Sequence, residues 1–342
     1  MQTIQVVTWP HREFINDLAK VFHIQNVVDQ GACVLQIPPH LGTGKISVLC
    51  LDGGINVVEY ECAFKEEHIF QFIAPQGHPL KLMHVLAGNL SHCFEDGQQL
   101  RTVRQYQNVM VLGKQSNAHI IYFKKGVKHH FFNIEVDRFQ FMKKPWFQGI
   151  EIPEKLTPLF DTAPFEKSLC YQGQYSLQMV DTIKKRKKFT GSNFLYYLLM
   201  EEIAYRTLFD WFSEYVNMHR PQNFAPPLRA ADIDKIAQAS EFISENLYSY
   251  RSIACLRQLT GLNANKLQIG FKYLYNKTVN EYVYEQRLRK AKELLLTTDL
   301  TISEIVYRIG LSSKSYFSRL FKDEYEISPS EYRACQRSMK MP

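Results

Sequence analysis

Residues 301–322 read TISEIVYRIGLSSKSYFSRLFK. In the last eleven, Phe317, Leu320 and Phe321 fall at i, i+3 and i+4, the spacing of a core-facing helical stripe. Lys314, Ser315, Ser318, Arg319 and Lys322 fall on the opposite side. That side holds three positive charges, two hydroxyls and no carboxylate. A solvated helix face has this pattern, and so does a helix lying in a groove of DNA. The surrounding sequence has to decide between them.

The stretch occurs twice in degenerate form. SIACLRQLTGLNANKLQIGFK (252–272) matches 301–322. Each copy starts with a short helix, with apolar positions Ile253, Leu256 and Leu259 in the first and Ile302, Ile305 and Ile309 in the second. Each of these helices ends at Gly-Leu, Gly261-Leu262 and Gly310-Leu311, where glycine supplies the left-handed residue that closes a helix. A small polar residue then caps a new helix, expected at Asn263 and at Ser312. Each second helix runs to Phe-Lys, at Phe271-Lys272 and Phe321-Lys322. Thr301-x-x-Glu304 has the form of a capping box. Two short helices joined by a tight glycine turn make a helix-turn-helix unit. Between the copies, VNEYVYEQRLRKAKELLL (279–296) predicts one helix of about 27 Å. Two reading heads set about one DNA turn apart, ~34 Å, are then feasible.

On these residues the chain resembles the AraC/XylS family of bacterial transcription regulators. The resemblance covers 231–333 and is most specific in RLRKAKELLLTTDLTISEIVYRIGLSSKSYFSRLFKDEYEISPSEYR (287–333). GLNANKLQIGFKYLYNKTVNEYVYEQRL (261–288) further resembles the siderophore-sensing branch that includes pyochelin regulators. The resemblance implies that the second helix of each unit enters the major groove. In the first unit it would present Asn265, Gln268, Ile269 and Lys272. Gln268 and Asn265 suit adenine, Lys272 a phosphate, and Ile269 only an apolar contact such as a thymine methyl. In the second unit it would present Lys314, Ser315, Ser318, Arg319 and Lys322, with Arg319 the candidate for a bidentate guanine contact. A phosphate clamp or an internal ion pair is the alternative for Arg319. Phe317, Phe321, Leu267, Leu274, Ile305 and Leu295 are core. Gly270 inside its helix implies close packing. Arg287 and Arg289 either touch phosphate or cap the neighbouring unit. The resemblance also implies double-stranded DNA and RNA polymerase as partners, a small-molecule effector sensed by the N-terminal domain, a homodimer, and activation as one mode of control.

The remaining sequence limits the alternatives. The 342 residues carry a formal charge of +7. From residue 230 onward there are 17 Lys and Arg against 13 Asp and Glu, an excess compatible with nucleic acid but not specific for it. No run of about 18 apolar residues predicts a membrane span, and MQTIQVVTWPHREF (1–14) has no secretory pattern, so a cytoplasmic location is expected. The seven cysteines are scattered, with no CxxC. Neither a disulfide framework nor a cysteine-rich zinc site is expected, and the methyl-accepting DNA repair enzymes, which need such a cluster, fit poorly. No GxSxG elbow is present. Ten of the eleven histidines precede residue 131, but without HxH, so no metal or other cofactor is expected and a metal-dependent enzyme domain stays the alternative reading.

Short runs rich in β-branched and aromatic residues predict strands at 34–37, 46–51, 55–64, 68–73, 108–113 and 119–126. The expected organisation is α+β and multidomain. A β-rich sensor spans 1–150, as a sandwich or a cupin-like barrel. A helical region spans 151–219 and includes a long apolar helix at 194–219 suited to core packing or a dimer seam. A proline-bearing linker covers 220–230, and an all-α domain with two helix-turn-helix units covers 231–342. The basic run KKRKK (184–188) reads as a solvated loop or helix end, with phosphate binding as the lesser alternative. No residues for the effector are identified.

Overall fold

INVVEYECAF forms strand β5 (Ile55–Phe64), and its alternation sets the layers of the N-terminal half. Val58, Tyr60, Cys62 and Phe64 point into a core shared with a second sheet, while Ile55 and Val57 point the opposite way into a core shared with helices. The computed structural model describes residues 2–7, 11–25, 27–74, 78–96, 99–161, 168–173, 176–217 and 228–338. The chain divides into two compact units, residues 1–222 and 223–342. Most of the segment expected to be the linker, residues 220–230, lies outside the described residues.

In chain order the first unit holds β1 (Gln2–Val7), α1 (His11–Phe22), β2 (Val27–Asp29), β3 (Ala32–Gln36), β4 (Gly42–Cys50) and β5. There follow β6 (His68–Ile73), β7 (Leu80–Ala87), β8 (Leu90–Phe94), β9 (Arg101–Val103), β10 (Asn108–Leu112), β11 (His119–Phe123) and β12 (His129–Val136). It closes with α2 (Arg138–Met142), α3 (Thr157–Phe160), β13 (Leu169–Gln172), α4 (Leu177–Lys185) and α5 (Asn193–Asn217). Eight strands pair in the order β13-β10-β7-β12-β5-β4-β3-β2 and five in the order β1-β6-β11-β8-β9. Among the described residues every pairing is antiparallel except β1 with β6.

The two sheets share an aromatic core in which Phe70, Phe72 and Phe123 of the smaller sheet meet Tyr60, Phe64 and Phe131 of the larger. α1 adds Phe14, Ile15, Leu18 and Phe22 to the same core. On its other face the larger sheet packs against α5 through Met200, Ile203, Leu208 and Trp211. The result is sheet on sheet on helices. Among the described residues neither sheet closes on itself, so of the two expected arrangements the barrel does not hold.

The strands expected at 55–64 and 68–73 coincide with β5 and β6. Among the described residues seven strands, β1, β2, β7, β8, β9, β12 and β13, lie outside the runs named from sequence, and two of them show the physical reason. LKLMHVLA in β7 has a single β-branched residue, and its near-complete burial on both faces overrides its helical propensity. β13 breaks the expected helical region. Its four residues are too short to show a period, and it exists because the edge of β10 accepts it.

Histidine burial explains most of the clustering that composition alone makes conspicuous. His84 is fully buried, burial holds its pKa down near about 3, and its Nε2 accepts the indole N–H of Trp211 at 2.8 Å. It thus ties β7 to α5 as a neutral ring. His92 and His119 touch at 3.2 Å between the sheets, both pushed well below the ordinary histidine range by burial. Glu59, Glu61 and His130 bring ligand atoms within 4.8 Å of one another. Arg186 pairs with Glu59, and Lys187 with Glu61 at 3.1 Å, so the carboxylates already face cations. Of the KKRKK run, Arg186 and Lys187 therefore latch α4 to β5.

Burial alone would raise the pKa of Glu59. The hydrogen bond from His130 (2.6 Å) and the charges of Arg186 and His130 outweigh that and hold it at about 2, against an ordinary 4.5. A depressed carboxyl stabilises the fold fully above its unfolded value, and that stabilisation fades as pH falls toward the folded value. The stability gap between wild type and Glu59→Gln, measured by urea unfolding, should therefore be constant above about pH 5 and shrink as the pH drops from 4.5 toward 2. A gap that widens on acidification would contradict the assignment.

Candidate nucleic-acid interface

The described residues of the second unit form helices and their connections: α6 (Ala230–Glu245), α7 (Ile253–Thr260), α8 (Ala264–Tyr275), α9 (Val279–Thr297), α10 (Ile302–Arg308), α11 (Lys314–Tyr325) and α12 (Pro329–Ser338). Ser252 caps α7, and Gly261 ends it in the left-handed conformation (φ 69°), its N–H bonded to the Arg257 carbonyl. Asn263 then caps α8 by accepting the N–H of Lys266 at 2.8 Å. In the second copy Thr301 and Glu304 close a capping box on α10, and Gly310 takes φ 75°. The cap of α11 is Ser313 rather than the expected Ser312. The second turn is one residue longer, so the copies are offset by 49 residues before the turn and 50 after it.

The repeat also extends past the Phe-Lys pairs where the sequence reading ended it. α8 and α11 both finish on a left-handed residue, Asn276 and Glu326. Each is followed by a capping box, Thr278 with Glu281 and Ser328 with Glu331. Each packs an aromatic triad: Phe271, Tyr275 and Tyr282 in the first, all buried, with centroids 4.6–5.4 Å apart, and Phe321, Tyr325 and Tyr332 in the second, the tyrosines half-buried, 4.5–6.4 Å apart. The signal was legible as YNKTVNEY against YEISPSEY, but the strong helical pattern of 279–296 masked it.

The expected core residues Leu267, Leu274, Leu295, Ile305, Phe317 and Phe321 are all buried. Leu259 is not; it is 47% exposed. A Cβ on Gly270 would sit 2.5 Å from Ile236 Cδ1, which explains a glycine inside α8. α9 packs against α6, α8, α10 and α12 and so joins the two copies. Arg287 donates from α9 to the Tyr250 carbonyl at 3.1 Å, and Arg289 pairs with Glu285.

On α11, Lys314, Ser315, Arg319 and Lys322 are exposed and Ser318 is half-buried. No acidic residue precedes Asp323 on this helix. The Arg319 guanidinium lies over the Tyr316 ring, 5.6 Å from its centroid, and the Tyr316 hydroxyl is hydrogen-bonded to that of Tyr284 on α9. Arg319 is thus supported by an aromatic shelf, and among the described residues it has no ion pair. Tyr316 escaped the sequence reading because an exposed tyrosine beside a polar face carries no pattern of its own.

On α8, Asn265, Ile269 and Lys272 are exposed. Lys272 Nζ lies 3.5 Å from the Asn276 carbonyl. Gln268 is half-buried, and its side-chain oxygen accepts the N–H of Val279 at 3.1 Å, serving the start of α9. A bidentate pair with adenine requires giving up that bond. The two faces are therefore unequal, the second being the more cationic and the better supported.

Residues 256–334 match the family model of a helix-turn-helix domain. The chain is 39% identical over 69 residues to the xylose operon regulatory protein of Haemophilus influenzae, covering 20% of this chain and 18% of that protein. It is 32% identical over 114 residues to the arabinose operon regulatory protein of Salmonella typhimurium, covering 33% and 39%. Among solved structures, the C-terminal domain of the response regulator yesN from Fusobacterium nucleatum is 32% identical, with a TM-score of 0.28, over 29% of this chain and 98% of that one. The chain thus spans less than two fifths of these curated relatives, and the likeness lies in the helix-turn-helix domain. Over 256–334 the chain is similar to a helix-turn-helix domain, and its relatives include sugar-operon regulatory proteins.

Gly310 is where the second copy is most constrained. A Cβ there would lie 2.3 Å from the Leu247 carbonyl oxygen, on a left-handed backbone. Gly310→Ala should cost more than the ~1–2 kcal/mol of the backbone conformation alone. Gly126→Ala, also left-handed but with nothing within 4 Å of its Cβ, measures that baseline. Equal losses in chemical denaturation would show that the Leu247 contact is not a constraint.

Proposed function

We propose that this chain is a sequence-specific, double-stranded DNA-binding transcription regulator of the AraC/XylS type. The observation that carries the reading is the pairing of two helix-turn-helix units with matched caps, turns and aromatic triads, each offering an exposed polar helix face. α8 and α11 enter successive major grooves. Arg319 pairs with guanine O6 and N7, Lys314 with guanine or phosphate, and Ser315 and Ser318 with neighbouring base edges or phosphate. Lys272 and Lys322 hold phosphates, Asn265 reads adenine, and Ile269 meets a thymine methyl. Gln268 contributes its free amide N–H groups while its oxygen stays on α9. The 19 residues of α9 span about 28 Å, which supports a separation near one helical turn.

The N-terminal unit is the sensor in this reading. Its effector is a small molecule, a siderophore being the class that the resemblance of 261–288 suggests. RNA polymerase is the partner through which activation would act. A homodimer is supported by α5, on which Phe194, Leu195, Leu198 and Phe209 stay 45–70% exposed, with Glu202 and Arg206 exposed among them. No helix among the described residues is long and apolar enough to cross a membrane.

Arg319→Ala should weaken binding to a preferred duplex by about 1–3 kcal/mol and relax preference at one base position. An equal loss on random duplex would reduce Arg319 to a phosphate contact. Sedimentation of the chain at micromolar concentration should show a dimer, and a monomer with and without DNA would contradict the role of α5.

A further inference from the structure

The N-terminal unit holds a cavity of about 260 Å3 on the helical side of the larger sheet, away from the interior of the sandwich. Its floor is buried: Phe141, Leu156, Phe160 and Leu208. Its rim is open, with Trp146, Ile150 and Phe209 about half to two-thirds exposed. A concave site with a buried floor and an almost wholly apolar, ring-rich lining is built for a small molecule rather than for a flat partner surface. Along α5, Tyr205, Leu208, Phe209 and Phe212 all line it.

A charge stands behind one wall: Lys144 is not itself a lining residue but is bonded to Tyr205, which is. The Tyr205 hydroxyl, on the cavity wall, is bonded to Lys144 Nζ at 2.6 Å. The lysine stem lies across Gly53, where any Cβ would strike it at 2.1 Å, and its ammonium also rests over the Phe141 and Tyr205 rings. Lys144 has no carboxylate within ion-pair distance among the described residues; its second hydrogen-bond partner is the Asp52 carbonyl at 3.5 Å. The one acidic lining residue, Glu151, is exposed to water. A half-buried ammonium that is held by neutral acceptors beside an apolar cavity complements an anion whose apolar body fills the space.

We propose that this cavity binds a ring-sized apolar molecule bearing one anionic group, the body among the phenyl rings and the anion at Lys144 and Tyr205. This rests on reading the N-terminal unit as a sensor, and it places that sensing against α5. Tyr205, Leu208, Phe209 and Phe212 all lie on that helix, which also carries the exposed Phe194, Leu195 and Leu198, so an occupant reaches the association surface through the same helix.

Calorimetric titration of the full chain with 2-naphthoate, read also by the emission of Trp146, tests the site. One saturable site per chain is expected. Binding should weaken about tenfold with uncharged 2-naphthamide and about tenfold again for naphthoate when Lys144→Met is used, while Lys125→Met, an exposed lysine outside the cavity, leaves it unchanged. Both substitutions are at solvent-accessible positions, and Leu208→Trp, which fills the floor, should abolish binding. No saturable binding, equal affinity for acid and amide, or tighter binding of 2-naphthylmethylammonium would overturn the proposal. Duplex binding by the ligand-free chain is measured alongside. Its loss would sink the regulator reading and leave the site standing. Naphthoate binding that alters neither duplex affinity nor sedimentation would sink the sensing role alone.

Discussion

The C-terminal unit depends on two backbone conformations that only glycine adopts cheaply. Gly261 and Gly310 each turn the chain by a left-handed residue, and a polar cap restarts it at once as a new helix. With the turn fixed, the second helix of each copy can bury only one side. Leu267 and Phe271, or Phe317 and Phe321, go inward. The residues between them must then face water or whatever replaces it. The exposed cationic face of α11 is thus a consequence of the turn as much as of its own composition.

Local chemistry made this part of the chain readable in advance. Gly-Leu, the Thr301–Glu304 box and the i, i+3, i+4 stripes all act within one or two helical turns, and the structure repeats them in place. The misses are of one kind. Ser313 replaces Ser312 because the second turn has an extra residue, which a gapless comparison of the copies does not reveal. Leu259 fits the helical period yet stays exposed, because periodicity gives the direction of a stripe and not whether a neighbour covers its edge. Gln268 looked free because its partner, the Val279 amide, lies across a helix boundary.

In the N-terminal unit strand existence was legible and sheet order was not. β5 and β6 carry enough β-branched and aromatic residues to announce themselves. Their assignment to different sheets follows from long-range pairings, β5 with β12 and β6 with β1 and β11, that no local pattern encodes. The same holds for the buried links His84 to Trp211 and Glu59 to Arg186, each joining residues 127 apart in sequence. They fasten the helical layer to the larger sheet. The cavity at Tyr205 is equally non-local, since α2, the 145–156 segment and α5 all contribute to it.

A stiff connector between two similar units makes one geometric demand: their targets must lie at a fixed spacing on one duplex. The most direct measurement is the selection of random duplexes of about 40 base pairs by the full chain, followed by sequencing of the retained fragments. Two short enriched motifs about 10–10.5 base pairs apart, the stronger guanine preference in the one assigned to α11 through Arg319→Ala, are expected. Retention without any enriched motif, or motifs at unrelated spacings, would contradict the paired-reader architecture.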